Sequence, residues 1–287
     1  MKITKDKLKA IIFTVITIAG VALLLYPTVS DVINSYTQSR VIEGYSEYAD
    51  KLSVEDYEKA FSMADDYNKR LYETEDALLY PDRVSGYDEV LDVNSDGVIG
   101  FVEIERISVY LPIYHSTNDT VLNGAVGHLW GSSFPSDKGN VHSVIAGHRG
   151  LMSSRLFTDI NKLEEGDEFS VTVLNRKYIY EVDKIQTVLP EEDEPLRIEE
   201  GKNYVTLQTC TPYGVNSHRL LVRGKYIRTE DAGSEKYDTF DVITKTIINR
   251  RNIFPVILGV LILLIFVVLR ITVNKRRAKK RVIKNND

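Results

Sequence analysis

The sequence predicts a mainly β protein, built as a closed or nearly closed β-barrel with short helices. A helical region precedes the barrel, and two transmembrane helices flank the whole. Three observations carry this. Residues 97–228 hold many short runs of β-forming residues separated by turn signals. Residues 31–75 place apolar side chains at helical spacing with charges between them. Residues 10–30 and 252–269 contain no charged residue, and a bilayer core asks for about 20 apolar residues in helix.

The ends set the topology. Lys2, Lys5, Lys7 and Lys9 precede the first apolar run, and Arg270, Lys275, Arg276, Arg277, Lys279, Lys280 and Arg281 follow or close the second. The positive-inside rule then puts both termini in the cytoplasm and the middle of the chain outside. Leu25-Tyr26-Pro27-Thr28-Val29-Ser30 is bulky where a cleavage site wants small residues, so the first run reads as an uncleaved signal anchor rather than a removed signal peptide. The expected order is a basic end (1–9), an anchor (10–30), a helical region that ends in a candidate lid (31–96), the barrel (97–228), a linker (229–251), a second span (252–273) and a basic tail (274–287). The formal charge of −5 divides into +3 for residues 1–9, +7 for 270–287 and −15 between them. Such an acidic middle excludes the basic footprint of nucleic-acid binding. The tail is a topology signal and a contact for anionic lipid.

Within the helical region, Ser53-Val54-Glu55-Asp56 has the form of a capping box. Tyr57, Phe61, Ala64, Leu71 and Tyr72 follow at helical spacing, until Pro81 and Gly86 break the pattern. Strands are expected over 98–104, 109–114, 140–146, 169–173, 178–182, 203–210 and 218–227, with a hairpin at Asn175-Arg176 and one short helix over 156–163. No internal repeat is present.

Cys210 is the only cysteine, so no internal disulfide can form. It ends the run Thr206-Leu207-Gln208-Thr209-Cys210. A thiol attacks a carbonyl well only as thiolate, which calls for a neighbouring cation or base, and the tetrahedral intermediate calls for donors aimed at its oxyanion. His148, in a glycine-flanked turn after a strand, is the candidate imidazole, and Arg219, at the start of the strand after the loop 211–217, the candidate donor; a small buried cysteine and a solvated turn histidine are the competing reading. Arg223 is its rival, four residues further on. His115, His128, His142 and His218 are assigned to structure.

Ala146-Gly147-His148, Thr206-Leu207-Gln208-Thr209-Cys210 and Arg219 together resemble the sortase signature. Gly127-His128-Leu129, Ala146-Gly147-His148-Arg149-Gly150-Leu151, Leu156-Phe157-Thr158-Asp159, and Thr209-Cys210-Thr211-Pro212-Tyr213-Gly214 with His218-Arg219-Leu220-Leu221-Val222-Arg223-Gly224 narrow it. These strings are similar to class C sortases, the pilin polymerases of Gram-positive bacteria, and the match runs over residues 97–227. The resemblance implies Cys210 as nucleophile, His148 as general acid/base and Arg219 as stabiliser of the carbonyl or oxyanion. It implies cleavage of a Leu-Pro-x-Thr-Gly-like sorting signal and transfer of the acyl group to a pilin lysine. Alternatives are wall anchoring through a peptidoglycan amine, hydrolysis, and a pilin-binding assembly factor without catalysis.

The chain departs from the family in its lid. Class C enzymes commonly carry Asp-Pro-aromatic before the barrel, whereas Leu79-Tyr80-Pro81-Asp82-Arg83 stands here. Tyr80 covering the thiol and Asp82 pairing with Arg219 compete with an ordinary helix-to-strand connection. No cofactor is expected, with one alternative. Asp92, Asn94, Asp96 and Glu103 fit the calcium-loop spacing of an EF-hand, but a strand rather than a helix is expected after them.

Overall fold

The computed structural model describes residues 5–151, 153–232 and 250–284. The chain divides into two compact units, residues 1–32 with 244–287 and residues 33–243. Most of the expected linker (233–249), and residues 1–4 and 285–287 at the basic ends, lie outside the described residues.

Among the described residues, two helices are long and apolar enough to cross a membrane. Helix α1 is Lys5–Ala49, so the helix continues without a break through the end of the expected anchor. Its candidate span reaches a mean hydropathy of 2.5, against 3.1 for Ile253–Val273 in the last helix. Within the first unit, Phe13 stacks on Phe266 at 5.8 Å.

In the second unit, helix α2 is Val54–Glu73. Ser53 caps it by the reciprocal box its sequence predicts, with Asp56 as the return partner. Its buried stripe is Ala60, Phe61, Ala64, Tyr67, Asn68 and Leu71, the spacing of one helix face. The Asn68 carboxamide accepts the Phe134 N–H (2.8 Å) and donates to the Phe134 carbonyl (2.9 Å), which satisfies a polar group buried in that stripe.

Eight strands close a barrel. They are β1 (Val98–Ile104), β2 (Val109–His115), β3 (Val126–His128), β4 (Val141–Ala146), β5 (Glu168–Val173), β6 (Arg176–Val188), β7 (Asn203–Thr211) and β8 (His218–Asp231). A one-turn helix α3, Asp119–Leu122, lies before β3, and the final helix α4 is Arg250–Lys284. The order around the barrel is β1-β2-β3-β4-β7-β8-β6-β5, and β5 pairs with β1 to close it. The β2–β3 and β4–β7 pairs are parallel and the others antiparallel.

Three expectations shift. Residues 156–163 form turns and a 3-10 turn, Ile160–Lys162, instead of an α-helix. Strand β8 continues to Asp231, where it pairs with Arg176 at the start of β6, so the first residues of the expected linker are barrel. Strand β3 is too short to leave a periodicity in the sequence.

The residues of the calcium-loop spacing bond to their own turn. Asp92 accepts the Gly97 N–H and Asp96 accepts the Val98 N–H, each at 3.0 Å, while Asn94 donates to Asp96. These bonds shape a tight turn, with Ser95 and Gly97 at positive φ. Glu103 sits in β1, 3.1 Å from the Lys177 ammonium. Among the described residues, no group of three or more His, Cys, Asp or Glu side chains is placed to hold a metal ion.

Candidate active site

Strands β4, β7 and β8 are neighbours, and their alternation sorts side chains between two faces. Ile145, Val205, Leu207, Leu220 and Val222 enter the main core. Val144, Leu221, Val188 and Leu196 form a second, smaller cluster. By strand parity Thr206, Gln208 and Cys210 share the face of Val144 and Leu221, and so do Arg219 and Arg223.

Cys210 is paired directly with Arg219 across the antiparallel β7–β8 register. On its other side Arg219 pairs with Val188 at the end of β6. Directly opposed residues hold their Cβ atoms about 5 Å apart, so the thiol and the guanidinium start from adjacent positions on one face. Residues 211–218 separate the two in sequence, but the antiparallel register brings them directly opposite each other. Among the described residues, the Arg219 guanidinium makes only long hydrogen bonds, to the Asn216 and His218 carbonyls at 3.4 and 3.3 Å.

His148 comes level with Cys210 through the parallel β4–β7 pair. The ladder ends with Ala146 as the partner of Gln208, and contacts beyond it run from residues 147–149 to residues 208–211, the stretch that holds Cys210. Hydrogen bonds bracket the pair. The Gly147 N–H donates to the Gln208 carbonyl (3.0 Å), the Thr209 hydroxyl donates to the Gly147 carbonyl (2.7 Å), and Arg149 donates to the Thr211 hydroxyl (3.0 Å). On the far side of the turn, the Phe157 N–H donates to the His148 carbonyl at 3.1 Å.

Glycines make this close approach feasible. A Cβ on Gly147 would fall 2.8 Å from the Phe157 ring. Gly150, at φ +86°, lies beneath Tyr213 from the β7–β8 loop, 2.9 Å from where its Cβ would be. Cys210 itself is a free, partly buried thiol.

Arg223 is otherwise engaged. It donates to both Asp183 carboxylate oxygens (3.1 and 2.9 Å) and to Glu199 (2.9 Å), and lies over the Tyr204 ring at 3.9 Å. Three histidines are fixed in the interior. Burial lowers His128 to about 3 and His142 to about 4, and it lowers His115 as well. His142 Nδ1 donates to the Arg197 carbonyl (2.9 Å), so its Nε2 accepts from the Thr206 hydroxyl (2.8 Å). His218 instead lies at the partly exposed start of β8, with Ser217 as its partner.

The segment after α2 crosses the same face, through a residue the sequence did not single out. Leu78 packs against the cluster of Val144, Val188, Leu196 and Leu221. Gly131 lets it pass, since a Cβ there would meet the Ala77 carbonyl at 2.9 Å. Asp76 pairs with Arg197 at 3.4 Å, beside a cavity of about 160 Å³ lined by Tyr72, Leu78, Ser132, His142 and Leu196. Tyr80 is half-exposed beneath the Arg83 guanidinium, 4.3 Å from its ring centre. No hydrogen bond or ion pair joins Asp82 to Arg219 among the described residues.

Comparison with known proteins agrees with this geometry. The sortase-domain family model matches residues 102–227. Sortase A of Bacillus anthracis is 31% identical over 191 residues, which cover 66% of this chain and 86% of that protein. Sortase D of Bacillus subtilis is 28% identical, over 45% of this chain and 63% of its own length, so less than two thirds of that relative is spanned. Among solved structures, sortase C1 from Streptococcus agalactiae superposes with a TM-score of 0.61 at 41% identity, over 67% of this chain and all of that one. Sortase C from Streptococcus pneumoniae gives 0.61 at 39%, over 67% and 98%. The closed eight-stranded barrel is thus a sortase barrel with class C structural neighbours, and the chain belongs to the sortase family of cysteine transpeptidases.

Proposed function

We propose that the protein is a membrane-anchored, pilus-assembling transpeptidase, with Cys210 as nucleophile, His148 as general acid/base and Arg219 as oxyanion stabiliser. The observation that carries this is the register: Arg219 opposite Cys210 on one side and the His148 turn beside it on the other. Sortases act on LPxTG-type substrates. One neighbour, sortase C of Clostridium perfringens, was solved with a C-terminal cell wall sorting motif, and covers 66% of this chain at 36% identity. Another, sortase C of S. pneumoniae, has a structure that bears on pilin substrate specificity.

In this mechanism the Cys210 thiolate adds to the threonine carbonyl of the sorting signal. A C–S bond forms, and the electron pair moves onto the carbonyl oxygen, where the Arg219 donors meet it. As the C–N bond to glycine breaks, His148 gives its proton to the departing amine, leaving a thioacyl enzyme. A pilin lysine amine then attacks the thioester, His148 takes up its proton, and the Cys210 thiolate leaves. The apolar helices hold the barrel at the membrane, with the acidic middle of the chain outside and both termini in the cytoplasm. No step requires a cofactor.

The test is intact mass of the full-length chain in detergent after incubation with an LPxTG pilin fragment and no amine. The expected result is an acyl adduct that disappears in Cys210→Ala and is discharged by a lysine peptide. An adduct that persists in Cys210→Ala refutes the assignment. Discharge by a peptidoglycan amine but not by a pilin lysine replaces polymerisation with wall anchoring.

A further inference from the structure

Gln208 carries an unmet hydrogen-bonding group on the catalytic face. It lies two residues before Cys210 in β7, which places it about 6.6 Å along the strand on the same side. Its side-chain carbonyl oxygen is buried and has no hydrogen-bond partner among the described residues. The neighbours explain why. Ala146 is its partner in β4 and Leu221 its partner in β8, and neither side chain has a polar atom to offer. Turning the carboxamide over would exchange oxygen for nitrogen and still leave one polar end unpaired. Leaving such a group buried is unfavourable, and an apolar side chain at this position would fill the same space without that cost. A partner reaching this face from outside, water in the free protein or a bound peptide in its place, is left to supply the bond.

We infer that Gln208 is a substrate-positioning residue that hydrogen-bonds a main-chain peptide group of the sorting signal. This rests on the function proposed above. A carboxamide has one acceptor and one donor side, as a peptide group does, so it can take an N–H and a C=O from the same unit. An extended peptide advances about 3.3 Å per residue, so Gln208 lies two peptide bonds from the bond that Cys210 attacks. Within the apolar cluster, Leu221 is the strand partner of Gln208 and Val144 the partner of Thr206, two residues further from Cys210, which seats the Leu-Pro half of the signal on this side. The peptide unit in question is then the one joining the proline to the variable residue, whose N–H Gln208 accepts. Cross-strand alternation makes this bond independent of the variable side chain.

The test compares an LPxTG peptide with its ester analogue, in which oxygen replaces that single N–H, on full-length wild type and Gln208→Leu. For the wild type, kcat/KM for thioacylation should fall about tenfold with the ester, the range of one hydrogen bond. Gln208→Leu should lose about tenfold on the amide peptide, mainly in KM, and show no further loss with the ester. Its rate of Cys210 alkylation by iodoacetamide and its Tm should match or exceed wild type, which separates lost recognition from a damaged barrel. Gln208→Glu keeps the acceptor and should keep the ester sensitivity. Equal ester sensitivity in wild type and Gln208→Leu overturns this inference alone. A wild-type chain that forms no thioacyl adduct overturns the parent function and this inference with it.

Discussion

In the proposed function Leu78 occupies the apolar surface on which a substrate side chain docks, so shortening it should make the enzyme more active on peptide. The side chain packs on Val144, Val188, Leu196 and Leu221, and a peptide using that surface must first displace it. Full burial of a leucine is worth about 1.5–3 kcal/mol. Leu78 is only partly buried, so Leu78→Ala should remove about 1 kcal/mol from the docked arrangement. At 1.4 kcal/mol per factor of ten, that raises kcat/KM for an LPxTG peptide about fivefold. The assay is initial-rate cleavage of a quenched fluorescent peptide, with thermal unfolding in parallel. Tm should fall by about 2–4 °C, as expected for a loss of 1 kcal/mol in a unit of this size. Alkylation of Cys210 by iodoacetamide should change less than peptide turnover, because a small reagent does not need the apolar surface. A Leu78→Ala enzyme with the expected fall in Tm but unchanged or lower kcat/KM would refute the reasoning, and would make the segment purely structural.

The two arginines on the face should separate by assay. Arg219→Ala should abolish measurable thioacylation with Tm within about 1 °C of wild type, because its contacts are long, whereas Arg223→Ala should lower Tm by several degrees through loss of its paired, partly buried bonds to Asp183. Thr209→Val removes the hydroxyl that holds the Gly147 carbonyl; it should cost about 1–3 kcal/mol in urea unfolding and lower kcat, since His148 is the next residue. Acid should destabilise the fold early: His128 and His142 are depressed to about 3 and 4 from an unfolded value of about 6.5. The unfolded chain therefore binds the extra protons, and stability present above about pH 6.5 is lost as pH falls toward 4, by about 1.4 kcal/mol per unit for each imidazole. Urea titrations at pH 7 and pH 5 check this, and His142→Asn should flatten the slope.

Much of the barrel was legible because its strands alternate or run apolar for five residues or more, and Cys210, His148 and Arg219 stand in the longest motifs. What was not legible depends on partners distant in sequence. Strand β3 is three residues long and exists because β2 and β4 offer it edges. The aspartates near residue 92 match a calcium loop by spacing, yet their oxygens cap their own backbone, and Glu103 is held by Lys177 from another hairpin. The sequence points to Tyr80 and Asp82 by family analogy, and in the same segment Leu78 packs on the cluster beside the candidate site, a contact that appears only once Leu221 and Val188 are brought beneath it. Gln208 could have been found from sequence by parity with Cys210, since two residues along a strand return to the same face. Its missing partner could not, because that depends on Ala146 and Leu221.

The topology also accounts for the division of labour within the site. A parallel neighbour reaches β7 only through a long connection, and residues 147–202 supply it between β4 and β7. An antiparallel neighbour needs only a short loop, and residues 212–217 suffice between β7 and β8. The arginine therefore enters from the next strand in sequence, fixed by direct pairing with Cys210. The histidine enters from a turn, held by Thr209, Arg149 and Phe157 rather than by a ladder of its own. In the proposed mechanism the oxyanion donor must be in place before charge develops, whereas the acid/base must follow a proton from one amine to another. A guanidinium set by strand register and an imidazole on a braced turn meet those two demands. This arrangement predicts unequal tolerance: Arg219→Lys, which loses the fork geometry, should be far less active than wild type, while Phe157→Leu at the His148 turn should chiefly shift kcat and its pH profile. Equal losses with unchanged pH profiles would break the link between register and role.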